Sequence, residues 1–129
     1  MIRAVISENA EGRIEGFRVS GHAGYAEPGA DIICSAVSAV VYTVLGYIDE
    51  VVAKQNGSKV FYEESDGFIR WERSSLIPSS EENLDQLSGE KLDAVLQAMV
   101  IGLTQIRKSY GKKYLSIQFE EVRFSNGKS

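Results

Sequence analysis

The chain of 129 residues contains one histidine and one cysteine. His22 and Cys34 stand twelve positions apart in the segment Gly21-His22-Ala23-Gly24-Tyr25-Ala26-Glu27-Pro28-Gly29-Ala30-Asp31-Ile32-Ile33-Cys34-Ser35-Ala36-Val37-Ser38. Their side chains are the two whose protonation is most easily moved into the neutral range. A thiolate beside an imidazolium can attack a carbonyl carbon and then hand a proton to the leaving group, which is the chemistry of acyl transfer and peptide hydrolysis. Cys34 stands where a long apolar helix is predicted to begin, so free backbone N–H groups and the helix dipole would favour its thiolate and could bind an oxyanion. Asp31 can orient His22 or cap that helix. Ser38 lies one helical turn beyond Cys34 on the same face, where it can bond to its own helix or tune the thiol.

Each of these residues also has a purely structural reading. A free cysteine is commonly a small buried hydrophobe, and a histidine before a glycine is commonly a solvated turn residue. The intervening loop shifts the balance, because Gly21, Gly24 and Gly29 with Pro28 are costly to order unless unusual backbone angles or motion are useful there. Residues 21–33 are therefore expected to be mobile. One Cys and one His are too few for a structural zinc site, so no metal is expected. Gly21-x-x-Gly24 lacks the Lys-Ser/Thr pair of a phosphate loop, and no cofactor is expected.

The elements that must position these residues follow from periodicity. Ile2, Ala4 and Ile6 alternate with Arg3, Val5 and Ser7 as a half-buried strand, and after the turn Asn9-Ala10-Glu11-Gly12 a second strand runs from Arg13 to Ser20. A helix is predicted from Cys34 to about Lys54. Two strands, Lys59 to Glu64 and Phe68 to Arg73, flank Asp66-Gly67, a strong hairpin signal. A second helix is predicted with Ser88 as N-cap, with Leu92, Val95, Leu96, Met99, Leu103, Ile106 and Tyr110 on one stripe and Gly111 as its C′ residue. The last strand runs from Tyr114 to Phe124, and the tail 125–129 should be frayed. The order β-β-α-β-β-α-β predicts an α+β fold over a single domain, 1–129, with a mixed sheet packed with two long helices.

Composition narrows the setting. A lone cysteine forms no intrachain disulfide, which fits a cytoplasmic location. No secretory signal or membrane span is expected, since the most apolar stretch, Ile32 to Ile48, carries two tyrosines and three serine or threonine residues. The net charge of −4 argues against direct nucleic-acid binding and suits a basic protein partner.

Gly-His-Ala-Gly-Tyr-Ala followed by Gly-x-Asp-Ile-Ile-Cys-Ser-Ala-Val-Ser closely resembles the signature of the ribosomal-processing cysteine protease family, Prp. The resemblance is strong over residues 20–38, extends less specifically over the whole chain, and includes Met99-Val100-Ile101-Gly102-Leu103 in the second helix. It implies a bacterial cysteine endopeptidase that removes the N-terminal extension of the large-subunit ribosomal protein numbered twenty-seven, cutting after an aromatic residue and before alanine. In some species phage scaffold proteins are also cut. It further implies that His22 and Cys34 match the catalytic dyad, that Asp31 and Ser38 match residues near it, and that the protein is a homodimer whose loop between His and Cys moves to admit the peptide. The readings that compete with it are a non-enzymatic ribosome-associated adaptor binding a basic protein tail, and a thiol acyltransferase or redox sensor; for a sensor no resolving cysteine is present.

Overall fold

The alternating apolar residues of the first segment form β1 (Ile2–Glu8), which turns back into β2 (Ile14–Ser20). Asn9 makes the turn: its side-chain oxygen accepts from the N–H groups of Glu11 and Arg13 at 3.0 and 2.9 Å, the local bonding that suits Asn to turns. The computed structural model describes residues 1–21, 30–76 and 85–122, with side chains in the middle segment from Ile32 onward. The expected frayed tail, 125–129, lies outside these residues.

After β2 come helix α1 (Ala30–Tyr47), strands β3 (Glu63–Ser65) and β4 (Phe68–Glu72), helix α2 (Gln86–Ile106) and strand β5 (Leu115–Glu121). This is the expected β-β-α-β-β-α-β order. The sheet order is β3-β4-β2-β1-β5, antiparallel except that β5 lies parallel to β1. The sheet is therefore mixed and the fold α+β, as expected.

The register puts the apolar residues on one face. Ile6 is opposite Phe17, which is opposite Trp71, while Ala4, Val19 and Ile69 line up across three strands and Ile2 meets Leu115. The helices cover this face, and α1 contributes Ile33, Val37, Val41, Val44 and Leu45 to the core while α2 contributes Leu92, Leu96, Met99 and Leu103. The opposite face carries ion pairs, including Arg18–Glu120 at 2.9 Å and Arg70–Glu63 at 3.1 Å.

The expected boundaries are corrected at several points. Helix α1 begins at Ala30, four residues before Cys34, and continues through a wide π-type stretch, Ile48–Ala53, and a 3-10 turn, Lys54–Asn56. Gly57 ends it with φ +71°, the left-handed conformation that favours glycine. The segment Ile32–Asn56 contains a window of mean hydropathy 1.7, so by length and composition alone it is apolar enough to cross a membrane. In this fold its apolar stripe is the core face of α1. The N-cap of α2 is Asp85 rather than Ser88: the Asp85 carboxylate accepts from the Ser88 N–H at 2.7 Å. That bond holds the Asp85 carboxyl below its ordinary range. Tyr110 is exposed, not part of the stripe, because the wide turn Arg107–Gly111 rotates it out of phase. Gly111 keeps a negative φ and is not a left-handed C′ residue. The strand expected from Lys59 shortens to Glu63–Ser65.

Arg73 ties the layers together. It is 2% exposed, and it donates from Nε and Nη2 to the Ile14 carbonyl at 3.1 and 2.7 Å and from Nη2 to Asp93 of α2 at 2.7 Å. Arg73→Met retains the bulk of the stem and removes these charge-assisted bonds, so it is expected to lower unfolding stability by about 2–3 kcal/mol. Urea titration checks this, and an unchanged midpoint would refute it.

Candidate active site

Helix α1 presents two adjacent stripes. Val37, Val41 and Val44 are buried on the sheet, while Cys34, Ser38 and Tyr42, spaced four residues apart, turn toward the β3–β4 hairpin and line a cleft of about 210 Å³. Residues four apart share a helix face, which is why these three fall in line. The opposite wall is made of Glu64, Ser65, Gly67, Phe68 and Ile69, and Ile2, Val19 and the exposed Gly21 complete the described lining. Cys34 is a free, half-buried thiol that packs against the core and opens into this cleft.

Cys34 and Ser38 are thus brought together as the sequence spacing suggested, and the exposed Ser35 is turned away from the cleft. His22 lies outside the described residues, but the residue bonded to it, Gly21, lines the cleft. The Gly21 N–H donates to the Gly67 carbonyl at 2.9 Å, so the end of β2 is fastened to the hairpin turn. Of the segment expected to be mobile, 21–33, residues 30–33 form the first turn of α1; residues 22–29 lie outside the described residues. Asp31 has its backbone in that first turn, inside the helix rather than at a cap preceding it. Its side chain is not among those described.

The early start of α1 also changes the setting of the thiol. Cys34 is the fifth helical residue, so its N–H falls in the helix's own hydrogen-bond ladder rather than among the free donors of the first turn. The dipole effect falls off over that same turn. The expectation that Cys34 sits at the first turn, with its own N–H free for an oxyanion, is corrected accordingly.

Two cleft residues escaped the sequence reading. The Tyr42 hydroxyl donates to Glu64 Oε2, bridging α1 and β3 across the cleft. The hydrogen bond to Glu64, reinforced by burial and by the carboxylate's charge, pushes the Tyr42 phenol up to about 12, so it remains a donor at neutral pH. The spacing of Tyr42, two turns after Cys34, was a usable signal; Glu64 sits on a three-residue strand with no periodicity to announce it. Among the described residues no three His, Cys, Asp or Glu side chains gather to hold a metal ion.

Gly21 is the most constrained position at the rim. It has φ +96°, and a Cβ there would collide with the Met1 carbonyl oxygen. Gly21→Ala is expected to cost about 1–3 kcal/mol and to lower the melting midpoint by at least about 4 °C. A thermal melt checks this; an unshifted midpoint would mean that the backbone relaxes freely at the cleft.

A profile of the family described as cysteine protease Prp matches residues 1–115. The ribosomal processing cysteine protease Prp of Bacillus subtilis is 29% identical over 111 residues, which span 85% of this chain and 90% of that protein. That of Staphylococcus aureus is 27% identical over 112 residues, 87% of this chain and 93% of the relative. Among solved structures, the S. aureus protease in complex with a substrate peptide superposes with a TM-score of 0.68 at 20% identity, covering 93% of this chain and all of the other. A Streptococcus mutans protein superposes with a TM-score of 0.69 at 22% identity, covering 95% and 96% of the two chains. A thiol in a cleft between the first helix and the edge hairpin, on a fold and a sequence matched over nearly their whole length, places this chain in the Prp family of ribosomal processing cysteine proteases.

Proposed function

We propose that this protein is the endopeptidase that removes the N-terminal extension of the large-subunit ribosomal protein numbered twenty-seven, cutting after an aromatic residue and before alanine. Cys34 is the nucleophile and His22 its proton partner. The observation that carries the reading is the position of Cys34 in a cleft whose rim residue, Gly21, is bonded to His22. In the reaction His22 takes the thiol proton, and Cys34 Sγ attacks the carbonyl carbon of the scissile bond. His22 returns the proton to the departing amine, leaving a thioester on Cys34. Water, deprotonated by His22, then releases the acid and frees the thiol. Asp31 orients His22, and Ser38 supports the thiol from one turn along the helix.

The apolar side chains of Ile2, Val19, Val37, Phe68 and Ile69 in the cleft suit a peptide with aromatic and aliphatic residues. The protein works as a homodimer in the cytoplasm, where a lone cysteine stays reduced.

The test is cleavage, followed by mass, of a peptide spanning an aromatic-alanine junction. Wild type is expected to cut once, and Cys34→Ser and His22→Ala are expected to lose turnover by at least about 10³-fold. Cleavage by Cys34→Ser would eliminate the mechanism, and binding without cleavage by wild type would favour an adaptor. Asp31→Asn is expected to lower kcat more than peptide affinity, whereas parallel losses of stability and activity would assign Asp31 to the helix start alone.

A further inference from the structure

Among the described residues that line the cleft, Glu64 is the only charged one. Three nearby carboxylates on the strands have cationic partners: Glu63 and Glu72 meet Arg70, and Glu120 meets Arg18. Glu64 has none among the described residues; its partner is the neutral hydroxyl of Tyr42, which donates to Oε2. Oε1 is left to accept from something else. A tie between α1 and β3 needs only a neutral acceptor, so the charge is unexplained by that tie.

We propose that Glu64, held in place by Tyr42, is a specificity-determining residue that receives a lysine or arginine side chain of the substrate peptide. The proposal rests on the peptidase reading of the same cleft. Its geometry gives the position of that cation. Tyr42 lies eight residues after Cys34 on α1, or about 12 Å along the helix axis at ~1.5 Å per residue. An extended peptide advances about 3.3 Å per residue, so the cation falls about three to four residues from the attacked carbonyl. The Tyr42 phenol keeps its proton at neutral pH, as a tyrosine ordinarily does, and its bond to Oε2 holds the orientation of the carboxylate.

The test uses ten-residue peptides with a central Phe-Ala junction and neutral polar residues elsewhere, in which a single lysine replaces glutamine at each position in turn. Affinity is measured by fluorescence anisotropy on Cys34→Ser protein, so that binding is read without turnover, and the same peptides are offered to protein with Cys34 intact. Lysine three or four residues from the junction, on one side, is expected to tighten binding about two- to fivefold over glutamine, the size of one exposed ion pair. Adding Glu64→Gln, which retains an acceptor for Tyr42, is expected to abolish that preference with an unchanged melting midpoint. Glu64→Lys is expected to invert it toward a glutamate peptide, and Tyr42→Phe to weaken it about twofold. Equal affinity for lysine and glutamine peptides at every position, or a preference that survives Glu64→Gln, overturns the proposal. Cleavage without any charge preference would overturn it while leaving the peptidase reading intact. Charge-dependent binding without cleavage would support it and sink the peptidase reading.

Discussion

The packing of α1 on the sheet is the constraint from which the site follows. Val37, Val41, Val44, Leu45 and Ile48 are almost completely buried against the strands and α2. Interiors are packed at crystal-like density, so a helix seated by that many side chains has one rotational setting. With about 100° between successive residues, the setting that buries this stripe carries Cys34, Ser38 and Tyr42 onto the flank above the hairpin. The reactive group is thus aimed by residues that never touch a substrate. The core arrangement and the orientation of the thiol are one fact rather than two.

The wall facing the thiol is of a different kind. β3 has three residues, all exposed, and pairs only with β4. Strands this short at a sheet edge carry little stability of their own. Two bonds compensate, Gly21 to Gly67 at the hairpin turn and Tyr42 to Glu64 on β3. A rigid helix opposite a lightly fastened hairpin gives a cleft that keeps its nucleophile fixed while its other side can adjust to a peptide.

Much of this was legible in the sequence where periodicity was long. The alternation in β1, the stripe Leu92-Leu96-Met99-Leu103 and the four-residue step from Cys34 to Ser38 each predicted the face that the structure uses. Ends were less legible because several residues compete to make them. Asp85 and Ser88 are both good caps, and Ser88 lost the role because it lies on the buried stripe of α2. Ala30 and Asp31 read as loop after three glycines, yet alanine is the best helix former and the helix extends back to include both. Tyr110 kept the spacing of the stripe but not its direction, since a wide turn intervenes. The Asp66-Gly67 turn fixes the hairpin register, with Ser65 opposite Phe68 and Glu64 opposite Ile69, but the role of Glu64 depends on how the hairpin sits against α1, and no local pattern specifies that.

The parallel pairing of β5 with β1 carries a consequence for the order in which the fold can be completed. β1 lies between β2 and β5, so one of its edges stays open until residues 115–121 arrive. Chains are synthesised from the N-terminus, and a sheet strand with an unfilled edge is a poor template for a settled core. Ile2 is partnered by Leu115 in that last strand and also lines the cleft beside Cys34. A growing chain therefore holds its thiol on α1 well before the cleft floor beneath it is closed. Strand β5 acts as a latch on maturation, so that a finished cleft exists only once residues 115–121 are in place.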